Sequence, residues 1–151
     1  MSTRFVSWLA VGLWGVTALG GGVMFMRGHV ESSPDGRVAV ILNADERDLI
    51  LKEMRGMLAA VDTTLLAMAN NNRAAIQESA RTVGMASMRD VPPALLLKLP
   101  MAFKQLGHGI HSGFDDLAAA AAQGETNEKL LDRVGNLLSQ CVACHGAYRF
   151  R

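Results

Sequence analysis

The sequence predicts an all-α protein, an antiparallel four-helix bundle preceded by one separate apolar helix. Three observations carry that expectation. Aromatic residues make up 5% of the 151 residues, while Ala, Leu, Met and Gly are plentiful and β-branched residues sparse, a balance that suits helices packed on helices. Apolar residues recur at steps of three and four through most of the chain after residue 43. The breaks between those patterns fall at NNNR, RDVPP and Gly124, where chain-turning residues cluster. The length suits one domain with its own core. The formal charge of +1 is well mixed, which excludes the sustained basic face that nucleic acid would need.

Residues 1–28 form the first unit. Phe5 to Met26 carries no charge and is bracketed by Arg4 and Arg27. About 20 apolar residues span a bilayer, whereas the apolar part of a cleaved signal runs about 7 to 15, so the length favours an anchor. Ala18-Leu19-Gly20 offers small residues at a spacing a signal peptidase accepts, which keeps a cleaved signal as the alternative. Either way the remainder is exported, to the periplasmic side of an inner membrane. Residues 29–43 mix Gly, Ser, Pro and Asp with a short apolar patch and read as a tether.

Residues 44–151 are the bundle. Asn43 and Glu46 resemble a capping box, so helix A starts near Ala44 and carries Ile50, Met54, Met57, Leu58, Val61, Leu65 and Met68 on one side. Helix B runs from about Arg73 to Met88. After ALLLKLP, helix C runs from about Met101 to Ala121. Gly107, Gly109 and Gly113 within it cost helix stability, as expected where a partner helix or flat ligand comes close. Helix D runs from about Asn127 to Tyr148, with both cysteines on its inward face.

Helix D ends in CVACHGAYRFR. Cys-x-x-Cys-His is the attachment signal for c-type haem: two thiols add across the vinyl groups, and the adjacent imidazole becomes an axial iron ligand. Residues three apart on a helix share a face, so Cys141 and Cys144 reach one porphyrin edge while His145 points beneath it. A thioredoxin-like pair expects a strand before it and a helix after it, and a zinc site needs a fourth ligand. One covalently attached haem c is therefore the expected cofactor.

With this motif closing a four-helix chain, CVACHGAYR resembles the class II cytochromes c, meaning cytochrome c prime and its low-spin relatives. The likeness covers about residues 44 to 151. It implies that Cys141 and Cys144 are the thioether sites, His145 the proximal ligand, Arg149 a basic residue beside the proximal face, and Tyr148 a packing residue behind the haem. Arg55, one residue out of register, is the helix A candidate for a propionate partner.

The family fills the sixth position from helix A: a Met there implies an electron carrier, a Leu an iron open to small gases. Set against Gly-Met-Met of the low-spin members, Gly56-Met57-Leu58 puts Leu58 in the ligand slot and Met57 one position short. With Val61 at zero on the helical wheel, Met54 lies at about 20°, Met57 at about 320° and Leu58 at about 60°, so all three face inward. Both methionines also suit plain core filling. On helix C, His111 falls on the flank of the apolar face as a further distal candidate, and His108 points away. Asp115, Asp116, Asp45 and Glu46 read as solvated or capping, so no acid-base catalysis is expected. The expected function is single-electron transfer with redox partners of a respiratory chain. The alternative is a five-coordinate haem protein binding nitric oxide or carbon monoxide, and a third is a structural subunit of a larger complex. A homodimer is compatible with the resemblance.

Overall fold

The computed structural model describes residues 3–151. Helix α1 (Thr3–Arg27) is followed by strands β1 (Val30–Ser32) and β2 (Val38–Val40), then helices α2 (Ala44–Ala69) and α3 (Arg73–Thr82). A 3-10 helix at Met85–Asp90 leads to α4 (Pro93–Lys98), α5 (Met101–Ala122), α6 (Asn127–Ala147) and a last strand, β3 (Tyr148–Phe150). The protein is mainly helical, and its amino-terminal helix is long and apolar enough either to cross a membrane or to act as a signal sequence.

Local chemistry sets the helix ends. The Asn43 side chain accepts from the Glu46 N–H at 2.8 Å while the Glu46 carboxylate accepts from the Asn43 N–H at 2.9 Å, a complete capping box at the start of α2. Asn72 caps α3 and Thr126 caps α6 through their side-chain oxygens. Gly124, at φ 78°, makes the turn out of α5.

Helices α2, α3, α5 and α6 share one core, in which Val61, Ile76, Phe114, Leu117, Leu130 and Val134 are buried. A second cluster gathers Val40, Leu42, Ile50, Leu95, Leu99, Phe103 and Cys144. Helix α5 approaches α6 closely: a Cβ at Gly113 would lie 2.8 Å from Leu137 Cδ2, and one at Gly109 2.8 Å from Gln140 Oε1. Two of the three glycines thus answer to a partner helix.

The structure corrects the sequence reading at three places. Residues 29–43 are not a tether but an ordered hairpin with Ala39, Val40 and Leu42 buried. Strand β2 pairs antiparallel with β1 (Val30↔Val40) and in parallel with β3 (Val38↔Tyr148, Val40↔Phe150). Arg149 and Asp35 at 3.3 Å, and Arg151 and Glu31 at 2.9 Å, tie the two chain regions at the surface. Helix B ends at Thr82 rather than Met88, because the chain turns at Val83 and Gly84 into the 3-10 segment. Helix D stops at Ala147, and Tyr148 leaves it in extended conformation to begin β3. The ALLLKLP stretch contributes the short helix α4.

Candidate haem-attachment site

Helix α6 brings the motif to the boundary between the two core clusters. Half-buried Cys141 packs against the four-helix core, while Cys144, 6% exposed, belongs to the second cluster. Neither is in a disulfide. Burial pushes both thiols up from their ordinary pKa, so they remain protonated at neutral pH and are poor thiolate ligands or exchange nucleophiles. His145 is exposed beside them, and its carbonyl accepts from Arg37 Nη1 at 3.3 Å. Among the described residues no three His, Cys, Asp or Glu side chains converge as a bare metal site would require.

Three clefts meet at this boundary, and Met54 and Cys144 line all of them. One of about 310 Å³ separates α2 from α6, with Leu51, Met57, Leu58 and Val61 on one wall, Leu138, Cys141 and His145 on the other, and Ile110 and Phe114 at its floor. A second, about 280 Å³, runs beneath His145 and is lined by Phe103, Tyr148 and Phe150 with three arginines, Arg37, Arg47 and Arg149. Phe103 holds the edges of Tyr148 and Phe150 at centroid distances of 5.3 and 5.9 Å. The third, about 180 Å³, reaches between α2, α4 and α5 and includes Glu53, Met57 and His111.

These residues fit the macrocycle that the motif calls for. Two thiols and an imidazole border one cleft whose facing wall is apolar apart from Arg55, in the size range of small-molecule sites. The arginine rim, in which Arg37 and Arg149 share Asp35 and Arg47 adds a further cation, is positive and so suits the two propionates. Within that rim Arg47 of α2 borders the cleft together with His145, whereas Arg55 is exposed and borders the α2–α6 cleft. Arg47 and Arg37 are therefore the residues of this candidate site that the sequence alone missed. Arg37 has no spacing signal at all, since only the β2–β3 pairing brings it to the motif.

The distal candidates separate. Met54 and Met57 are half-buried and line the clefts. Leu58 lies 67% exposed at the outer edge. His111 is not on a flank: it is 4% exposed, and its Nδ1–H donates to the Val83 carbonyl at 2.7 Å, which fixes the tautomer. Glu53 borders the same cleft, and burial raises its carboxyl above the ordinary value, with the nearby His111 opposing the shift. Asp115 is likewise not simply solvated, because its Oδ2 accepts from the Met85 N–H at 2.9 Å and so fixes the turn that presents Val83 to His111. The remaining glycine of α5, Gly107, borders this third cleft.

No protein-family model, curated protein or solved structure matches the chain.

Proposed function

We propose that this is a mono-haem c-type cytochrome, an antiparallel four-helix protein that passes single electrons on the periplasmic side of an inner membrane. The observation that carries the reading is the placement of Cys141 on one turn of α6 and Cys144 and His145 on the next, along one cleft, with Met54 on the facing helix. Haem, when bound, supplies reversible one-electron chemistry at its iron. Cys141 and Cys144 would hold it through thioether bonds, which keeps it with the exported chain. His145 would offer its imidazole to the iron, and its backbone is steadied by the Arg37 bond to its own carbonyl. Arg37, Arg47 and Arg149 would meet carboxylates at the rim, while Ile110, Phe114 and Val61 keep the cleft apolar.

Met54 is the side chain that would offer the iron its second protein ligand, because it borders all three clefts whereas Leu58 lies out at the edge. A thioether sulfur would favour the reduced state, as suits a carrier. The test is optical. The oxidised wild-type protein should show a methionine-to-iron charge-transfer band that Met54→Ala abolishes and Met57→Ala retains. A wild-type protein that lacks the band, and whose reduced spectrum shifts with carbon monoxide, would replace electron transfer by gas binding.

A further inference from the structure

The junction between α1 and the haem-attachment domain is built, not loose. Gly28, at φ 70°, sits so close to the following segment that a Cβ would lie 2.6 Å from both the Lys98 carbonyl oxygen and the Pro100 nitrogen. The next residue, His29, donates its N–H to that same Lys98 carbonyl at 2.8 Å. From α5, Lys104 Nζ donates to the Phe25 carbonyl at 2.8 Å and stands 3.5 Å from the centre of the Phe25 ring. It thereby satisfies one of the open carbonyls at the end of α1 and adds a cation–π contact. Helix α4 and the start of α5 are consequently held where the chain leaves α1.

Helix α4 is unusual at that place. From Val91 to Leu97 the sequence VPPALLL carries no charge. Leu95 and Leu99 face inward and are buried, yet Pro92, Pro93, Ala94 and Leu97 are exposed, Leu97 at 44%. Leu97 follows Leu95 by two residues, about 200° around the helix, so the outer face is as apolar as the inner one. The charge that ends the run, Lys98, is folded back onto both Glu46 oxygens at 2.7 Å and does not interrupt that face.

We propose that the outer face of α4 lies in the interfacial layer of the phospholipid bilayer that α1 crosses. The occupant follows from continuity: the carbonyl of Lys98, the last residue of α4, meets Gly28 and His29 where the chain leaves the membrane helix, and Lys104 of α5 holds the Phe25 carbonyl in that helix's last turn. An uncharged proline-leucine turn suits the headgroup–acyl boundary, where apolar side chains insert while the backbone ends remain wet. Leu95 and Leu96 of the same helix, with Leu99 just after it, wall the 180 Å³ cleft that Met54 and Cys144 also line, so this side of the candidate haem site lies next to the membrane. The inference rests on α1 remaining as a span.

The natural tryptophans separate the two ideas. Full-length protein in bilayer discs is compared in brominated and unbrominated phosphatidylcholine, so that quenching by haem cancels in the ratio. In the wild type, loss of Trp8 and Trp14 emission in brominated lipid reports the span. In Trp8→Phe/Trp14→Phe/Leu97→Trp, emission is expected to fall in brominated lipid as well, whereas with Leu131→Trp in place of Leu97→Trp, at an exposed site near the start of α6, it should not. Quenching of the wild type with none for Leu97→Trp overturns the membrane contact and leaves the span standing. Emission at Leu97→Trp that is blue-shifted yet unquenched overturns it in favour of a protein partner or a second copy. Absence of quenching in the wild type overturns the span and the contact together.

Discussion

Replacing Gly84 by Ala tests whether the turn between α3 and α5 is as tightly determined as it looks. Gly84 has an ordinary φ of −71°, so alanine meets no backbone strain there. The obstacle is steric: its Cβ would stand 1.9 Å from Asp115 Oδ1 and 2.7 Å from Cγ. The carboxylate has to retreat by more than about 1 Å to reach ordinary contact, and in doing so it gives up the 2.9 Å bond from the Met85 N–H. A hydrogen bond to a charged group contributes about 1.5–3 kcal/mol, so Gly84→Ala should destabilise by about that amount. Asp115→Ala removes the same bond from the other side and should cost about the same. It also vacates the space the new Cβ needs, so Gly84→Ala in the Asp115→Ala background should cost less than about 0.5 kcal/mol. Urea unfolding followed by far-ultraviolet circular dichroism gives all four corners of the cycle. Additive costs would refute the argument, because they would mean that Asp115 and Gly84 do not compete for one space.

Three further outcomes follow from other parts of the molecule. Phe114→Ala, at a side chain 1% exposed in the four-helix core, should cost about 3–5 kcal/mol and lower the urea midpoint without altering far-ultraviolet helix content at zero urea. Asn43→Ala opens the capping box of α2 and should cost about 1 kcal/mol by the same measurement. Acid should also weaken the fold in a defined direction. Arg37 beside Asp35, Lys98 and then the Asn43 N–H beside Glu46, and Arg133 beside Glu125 hold these carboxyls below their ordinary pKa values. Their stabilisation is complete above the unfolded-chain values of about 4 and is lost as pH falls through the depressed folded values. Thermal midpoints should therefore hold from about pH 7 to pH 5 and fall below about pH 4, with Glu46→Gln flattening part of that fall.

Much of the helical framework was legible because its signals are local. Asn43 and Glu46 lie three residues apart and close the capping box that their spacing suggests, and the 3–4 periodicity from Met101 and from Asn127 marks α5 and α6 to within a residue or two. The sheet was not legible, since strands of three residues carry no readable alternation and Val38 finds Tyr148 across most of the chain. The same non-local pairing hid Arg37 from the site. Helix B ran too far in the sequence reading because the reason for its end, the fit of Asp115 against Gly84, lies on another helix. At the candidate site, the grouping of Cys141, Cys144 and His145 follows from their spacing, but the residues facing them across the cleft do not. Met54, Met57 and Leu58 all face inward on a helical wheel, and only the neighbouring elements distinguish them. His111 shows the same limit, for its buried bond to Val83 depends on the turn at Gly84.

The intact mass of the chain, expressed with a haem-attachment system and exported, is the most direct test. A single species heavier than the polypeptide by one haem is expected, one that survives denaturation and acid–acetone extraction and gives a c-type pyridine haemochrome spectrum. Cys141→Ala/Cys144→Ala should return the mass to that of the polypeptide alone. A wild-type chain that emerges at the bare polypeptide mass under conditions where a control c-type cytochrome is loaded would contradict covalent haem attachment.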